Sequence, residues 1–340
     1  MQDLVRIAID AMGGDNAPAE PVKAAVKALE MTDRACIFLV GKEEVLKEEL
    51  SKYTYDASRL TVVPASEVIE MAEHPVNAIR KKRDSSIVVA QRMIRNGEAD
   101  AFVSAGSTGA VLAGGQLLVG RIRGVERAPL APLLPTLKGV SLLVDCGANV
   151  DARPAHLVQF AKMGSLYMRD VVGIKNPTVG LLNIGVEEEK GNALCKETYP
   201  LLKACEDINF IGNVESREIP HGAADVIVTE AFAGNIALKL YEGTASAFLT
   251  MMKGAMMKNT VSKIGALMVK KSLKETLKTL DASAYGGAPM LGLNGLIVKA
   301  HGNSTYKELS NAVLQCVSFT DAHLTDKIKE SISLGKNSEE

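Results

Sequence analysis

The chain has no C-x-x-C pair, no Walker A element, no G-x-G-x-x-G fingerprint and no H-E-x-x-H, and each absence removes a class of chemistry. Its five cysteines (Cys36, Cys146, Cys195, Cys205, Cys316) lie far apart in mostly apolar contexts, the usage of reduced, buried thiols in a cytoplasmic protein. Without either phosphate-binding fingerprint, nucleotide binding of the standard type has no motif support. The five histidines (His74, His156, His221, His301, His323) stand singly and no carboxylate pair has metal-site spacing, so neither a metal nor another cofactor is expected. Neither sign of charge predominates: 39 Lys and Arg against 40 Asp and Glu leave a formal charge of -1, with no global pull toward nucleic acid. Where an export signal needs a basic stretch and an apolar helix, the chain has Asp3 and the strand-like Val5–Asp10, so no export is expected. The longest uncharged stretch, 101–120, could span a bilayer by length, but it holds Ser104, Ser107, Thr108 and five glycines. It reads as strand, turn and buried helix.

What is present is enough apolar sequence for a large core, 47% of 340 residues, with 23% charged. Apolar or β-branched runs recur at 5–10, 36–41, 60–64, 101–105, 141–145, 179–184, 209–212, 225–229 and 296–300, with helical patterns between them. Most are hydrophobic throughout rather than alternating, as strands buried on both faces are. The pattern predicts an α/β protein, a three-layer α/β/α sandwich around a mostly parallel sheet. No linker and no internal repeat interrupts it, so residues 1–335 read as one continuous domain, followed by a flexible tail at 336–340. Long helices are expected at 236–258, 261–280 and 306–333, the first two forming a projecting hairpin over 236–280.

Ligands of such sheets bind beyond the carboxyl ends of the strands. Six loops there are rich in Gly, Asn, Asp and Ser. In the first, Asp10, Gly13, Gly14 and Asp15 form either a tight turn before a helix or part of a site, and both readings are open. In the second, Ser104, Gly106, Ser107, Thr108 and Gly109 lead into a helix; they suit a helix cap or a phosphate. The third carries Asp145, Asn149 and Asp151 beside Cys146, a possible nucleophile without a local signature. The fourth carries Asn183, the fifth Glu230 and Asn235. The sixth, 285–295, includes Tyr285, Gly286, Gly287 and Asn294 and reads as too Gly-rich for a packed element. His301 follows a strand, where capping, core packing and catalysis all remain open. The basic run at 80–83 reads as a solvated face. On the hairpin, Lys253, Lys258, Lys263, Lys270, Lys271, Lys274 and Lys278 accompany Met251, Met252, Met256, Met257, Val261, Ile264, Leu267, Met268 and Val269. Such a tip suits an anionic membrane surface or a second copy of the chain.

Taken together, residues 9–15, 145–151 continuing into 156–161, 179–185, 285–295 and 299–304 resemble the phosphate acyltransferase (PlsX) family of bacterial phospholipid synthesis in order and spacing, over about residues 6–322. The chain departs from the usual family pattern at Ser107, where Asn is common, and at Glu230, Ala231 and Ala233. The resemblance implies a Rossmann-like fold similar to isocitrate and isopropylmalate dehydrogenases and to phosphotransacetylase, a homodimer, and a cytoplasmic protein peripherally associated with the inner face of the membrane. It implies transfer of a long-chain acyl group from acyl carrier protein to inorganic phosphate, the acyl phosphate passing to a membrane glycerol-3-phosphate acyltransferase. In that setting Ser104, Gly106, Ser107, Thr108 and Gly109 are expected to hold phosphate, and Asn149 and Asn183 to orient phosphate or the thioester carbonyl. His301 is expected to protonate the departing thiolate. Asp10, Gly13, Gly14, Asp15, Asp145, Asp151, Glu230, Asn235, Gly286, Gly287 and Asn294 are expected to shape the loops. Lys258, Lys263, Ile264, Leu267 and Met268 are expected to meet the membrane surface. The alternatives are phosphotransacetylase-like chemistry on an acyl-CoA, an NAD-dependent dehydrogenase of the same fold, and a non-catalytic scaffold at the membrane surface.

Overall fold

The computed structural model describes residues 4–278 and 286–334. Tyr285 and the tail at 336–340 lie outside them, as do the side chains of Lys274 and Lys278. In chain order the strands are β1 (Val5–Asp10), β2 (Ala35–Gly41), β3 (Leu60–Pro64), β4 (Ala101–Ser104), β5 (Leu133–Thr136), β6 (Gly139–Val144), β7 (Thr178–Asn183), β8 (Asn209–Glu215), β9 (Val226–Val228), β10 (Ala288–Met290) and β11 (Leu296–Lys299). They form two mostly parallel sheets rather than one, each in its own compact unit.

Unit 1 has its described residues in 4–132, 162–175 and 286–334. Its sheet runs β10-β11-β4-β1-β2-β3, with only β10 antiparallel. Ile7, Ala8 and Ile9 of β1 are all buried, which is why the run does not alternate: both faces of the strand meet helices. Helices Ala19–Met31 and Tyr306–Asp321 pack on each other and on the sheet, and Ser86–Arg95 packs on the sheet and against Thr108–Gly114. The Ser85 hydroxyl accepts from the Val88 N–H and caps Ser86–Arg95. Unit 2 has its described residues in 133–161 and 176–278, with sheet order β5-β6-β9-β7-β8, and only β5 is antiparallel. Leu134, Leu143, Cys146, Val214, Ile219, Ala224 and Ile227 make a core cluster there.

Four expectations change. The 285–295 segment does contain a packed element, because Ala288, Pro289 and Met290 pair with Lys299, Val298 and Ile297. The antiparallel edge strand β5 left no recognisable run. The 306–333 helix is two helices, Tyr306–Asp321 and Leu324–Leu334, because His323 takes φ 51° and breaks the hydrogen-bond ladder. The hairpin's first helix starts earlier, at Ala231, since the Glu230 carboxylate caps it by accepting from the Phe232 and Ala233 N–H groups. The second, Thr260–Lys278, is capped by Asn259, whose Oδ1 accepts from the Ser262 N–H at 2.8 Å. On these two helices Leu240, Phe248, Met251, Val261, Ile264, Leu267 and Met268 are exposed. No helix among the described residues is long and apolar enough to cross a membrane.

Burial sets the expected cost of truncation. Phe102, fully buried in β4, should lose about 3–5 kcal/mol on change to alanine, whereas Leu267→Ala, at 74% exposure, should stay within about 0.5 kcal/mol. Urea unfolding of both variants checks this, and equal losses would contradict the placement of β4 in the core.

Candidate functional site

In unit 1, β11, β4 and β1 lie side by side and parallel, and their carboxyl ends carry Lys299, Ser104 and Asp10. The register pairs Lys299 with Ser104, so the two side chains project from one face of the sheet. Asp10 is fully buried. Its Oδ2 accepts from the Ser104 hydroxyl at 2.7 Å and its Oδ1 from the Met12 N–H at 3.2 Å, and Ser86 donates to it as well. Burial raises its carboxyl above the usual carboxylate range, opposed by those donors and by Lys299. The Ser104 hydroxyl in turn accepts from the Gly106 N–H at 3.0 Å, which fixes the start of the second loop.

Glycine is a steric requirement in this cluster. A β-carbon on Gly13 would stand 2.1 Å from Asp10 Oδ2, and one on Gly106 would stand 2.9 Å from the same oxygen. Gly14, at φ 99°, packs against Ala105 and the Gly302 carbonyl, while the Asp15 N–H donates to that carbonyl at 2.7 Å. The loops after β1, β4 and β11 are thereby tied together, and His301 stands exposed in the last of them. Ser107 accepts from the Ala110 N–H at 3.4 Å and caps Thr108–Gly114; Thr108 is exposed, and Gly109 packs against Pro75. Gly287 lies against the Lys299 backbone and Gly286 against Ala312. Asn294 precedes β11, at the opposite edge of the sheet, and donates to the Arg121 carbonyl at 2.9 Å.

Lys299 opens the 299–304 motif but has no role among the site residues expected from sequence. It is 7% exposed, and its Nζ donates to the Ala300 carbonyl. Burial pulls its ammonium down to about 8 from an ordinary 10.5, against the opposing pull of Asp10 and Asp15. The available signal was a single charge ending an otherwise apolar strand, Leu296-Ile297-Val298-Lys299-Ala300.

Unit 2 has its own cluster at the ends of β6, β9 and β7. The Val144–Asp145 peptide is cis, and the buried Asp145 carboxylate gathers the next loop around itself. Oδ1 accepts from the Gly147 and Ala148 N–H groups at 3.2 Å each, and Oδ2 from the Asn149 backbone and side-chain amides at 2.8 Å each. The loop after β9 is fastened to this one. The Ala231 N–H donates to the Asn149 carbonyl at 3.1 Å, Asn235 Nδ2 to the Cys146 carbonyl at 3.0 Å, and a β-carbon on Gly234 would strike the Asp145 carbonyl at 1.9 Å. Asn183 ends β7; its Nδ2 donates to the Lys190 carbonyl at 3.1 Å and its Oδ1 accepts from the Ile184 N–H at 2.8 Å. Asp151 is exposed and Glu230 caps the long helix. Cys146 is a poor nucleophile: its buried thiol donates to the Leu143 carbonyl, and burial, then Asp145 and Glu242, push its pKa well above 9.0. Among the described residues, no group of His, Cys, Asp and Glu is arranged to hold a metal ion.

A pH dependence follows from Lys299. Between about pH 8 and 10.5 the unfolded chain still carries this proton and the folded chain does not, so its contribution to stability rises with pH across that window. The difference in urea unfolding free energy between the protein and its Lys299→Met variant should therefore climb from pH 8 to 10.5. A flat difference would contradict the buried placement.

A family model described as "Fatty acid synthesis protein" matches residues 5–327. The chain is 49% identical over 330 residues to a phosphate acyltransferase of Clostridium beijerinckii, covering 97% of this chain and 99% of that one. It is 50% identical over 327 residues to a phosphate acyltransferase of Clostridium botulinum, covering 96% and 98%. Among solved structures, a phosphotransacetylase from Streptococcus pyogenes superposes with a TM-score of 0.63 at 17% identity, covering 95% of this chain and 94% of that one. EutD phosphotransacetylase from Staphylococcus aureus gives 0.59 at 17% identity, covering 94% of each chain. The α/β fold is shared with those structures, and near-full-length identity of about one residue in two places the chain in the phosphate acyltransferase (PlsX) family, as an acyltransferase.

Proposed function

We propose that this phosphate acyltransferase takes a long-chain fatty acyl group from acyl carrier protein thioester to inorganic phosphate, releasing acyl phosphate for glycerol-3-phosphate acylation in phospholipid synthesis. The observation that carries the reading is the unit 1 cluster, where three interlocked loops at strand ends keep side chains back at Gly13, Gly14 and Gly106. Glycines at such strand-end turns let a small anion approach the backbone closely, as a phosphate site requires.

Phosphate is already ionised near neutral pH and needs positioning more than deprotonation. One of its oxygens attacks the thioester carbonyl carbon, the C–O bond forms, the tetrahedral intermediate collapses with loss of the C–S bond, and the carrier thiolate takes up a proton. In this scheme the 104–109 loop holds phosphate. In unit 2, Asn149 and Asn183 are assigned the part of neutral donors at strand ends; Asn183 Nδ2 has two hydrogens and gives one to Lys190. Exposed His301 supplies the proton for a leaving group whose own thiol pKa is near 8.5. Asp10 and Asp145 do not meet phosphate, because their oxygens already accept the donors that hold the loops.

The protein is proposed to work in the cytoplasm as a homodimer at the inner membrane surface. The support is the exposed apolar set Val261, Ile264, Leu267 and Met268, interleaved with Lys258 and Lys263 on capped helices.

Palmitoyl carrier protein should release free thiol only when inorganic phosphate is present, with an acyl product trapped by hydroxylamine. Release without phosphate, or faster turnover of acetyl-CoA than of the carrier thioester, would reject this substrate assignment in favour of phosphotransacetylase-like chemistry. Asn149→Ala and Ser104→Ala should each lower kcat about 100-fold or more; normal turnover by both would remove these loops from the site. Ile264→Glu with Leu267→Glu should abolish sedimentation with anionic vesicles while turnover on soluble substrate stays within about twofold, and joint loss would point to a dimer or folding role instead.

A further inference from the structure

Lys299 presents a buried cation that needs a physical account. Taking an ammonium out of water is costly unless a counter-ion or several acceptors replace the water. Here the protein supplies one acceptor, the Ala300 carbonyl. Among the described residues no carboxylate lies within ion-pair distance of Nζ, although Asp10 and Asp15 act on it from farther away. An ammonium carries three donor hydrogens, so the group holds donor capacity beyond its one protein acceptor.

Its position is equally specific. Lys299 stands beside Ser104 in register, at the carboxyl ends of parallel strands, where ligands of such sheets bind. The neighbouring loops approach closely without bulky side chains, since Gly13 and Gly106 admit no β-carbon. A lysine ammonium is a compact point charge suited to a tetrahedral anion. Asp10 and Asp15 favour its protonated state while leaving its remaining donors unoccupied.

We propose that Lys299 is the cation that binds the inorganic phosphate nucleophile, an inference that rests on the phosphate-transfer reading of the unit 1 cluster. The competing account makes Lys299 a structural counter-charge for Asp10 and nothing more. The two differ in what happens when both charges are removed.

The test titrates inorganic phosphate against the full-length protein, with chloride at matched ionic strength, reading the rise in thermal midpoint to obtain a phosphate Kd. The series is Lys299→Met, Asp10→Asn and the double variant D10N/K299M. Removing both charges leaves no uncompensated buried carboxylate, so the double variant reports on binding even where Lys299→Met alone fails to fold. Phosphate Kd should rise about tenfold or more in Lys299→Met, and by a similar factor in the double variant relative to Asp10→Asn, the loss expected for one hydrogen bond to a charged group. Unchanged phosphate Kd in folded Lys299→Met, or in the double variant relative to Asp10→Asn, overturns the proposal. Thiol release from palmitoyl carrier protein separates this from the function itself. Lys299-dependent phosphate binding without phosphate-dependent release would reject the acyl-transfer reading and leave the anion site standing. Phosphate-dependent release with an unchanged phosphate KM in Lys299→Met would reject Lys299 and leave the reaction standing.

Discussion

A carboxylate buried at the end of a parallel strand has to be surrounded by donors, and in unit 1 that demand organises the surrounding loops. Asp10 draws in the hydroxyls of Ser86 and Ser104 and the Met12 N–H. Ser104 can serve Asp10 only from the next strand, and its oxygen then holds the Gly106 N–H. The loops must close tightly over this arrangement, which excludes a β-carbon at Gly13 and Gly106 alike. One unpaired acceptor here would cost about 1–3 kcal/mol, enough to explain why the whole neighbourhood is built around satisfying it.

Unit 2 solves the same problem with its own residues. Asp145 follows β6 and receives the N–H groups of Gly147, Ala148 and Asn149 together with the Asn149 amide. In both units an acidic side chain near the expected anion chemistry is turned into a clamp. Its oxygens accept serine hydroxyls and a backbone N–H in unit 1, and backbone N–H groups with a side-chain amide in unit 2, and the residues it positions are neutral: Ser104 in one unit, Asn149 in the other.

The helical hairpin obeys a different constraint. Only Ala231 and Gly234 of the Ala231–Met256 helix are buried, so most of that helix and much of the next gain little from the core. Their ends are instead held by side-chain caps, Glu230 on the first and Asn259 on the second. The apolar residues exposed on these helices, among them Val261, Ile264, Leu267 and Met268, are not buried against the rest of the described chain.

Much of the scaffold was legible from composition and period alone. The mostly apolar runs at 5–10 and 179–184 became strands within a residue of their expected ends, because strands buried on both faces leave little room for polar side chains. β5 and β10 were not legible: each is short, contains a proline, and lies at a sheet edge where the sequence is less constrained. The loops were visible as glycine- and aspartate-rich punctuation, but a turn and a site look alike at that level. Local sequence therefore determined most of the strands, the loop chemistry and, through the ordered set of motifs, the family. Only tertiary structure decided that there are two sheets, that Asp10 gathers serine hydroxyls and a loop N–H while Asp145 gathers loop amides, and that Lys299 is buried. A lysine's burial depends on which strands flank it and what covers them, and residues about two hundred positions apart supply that environment.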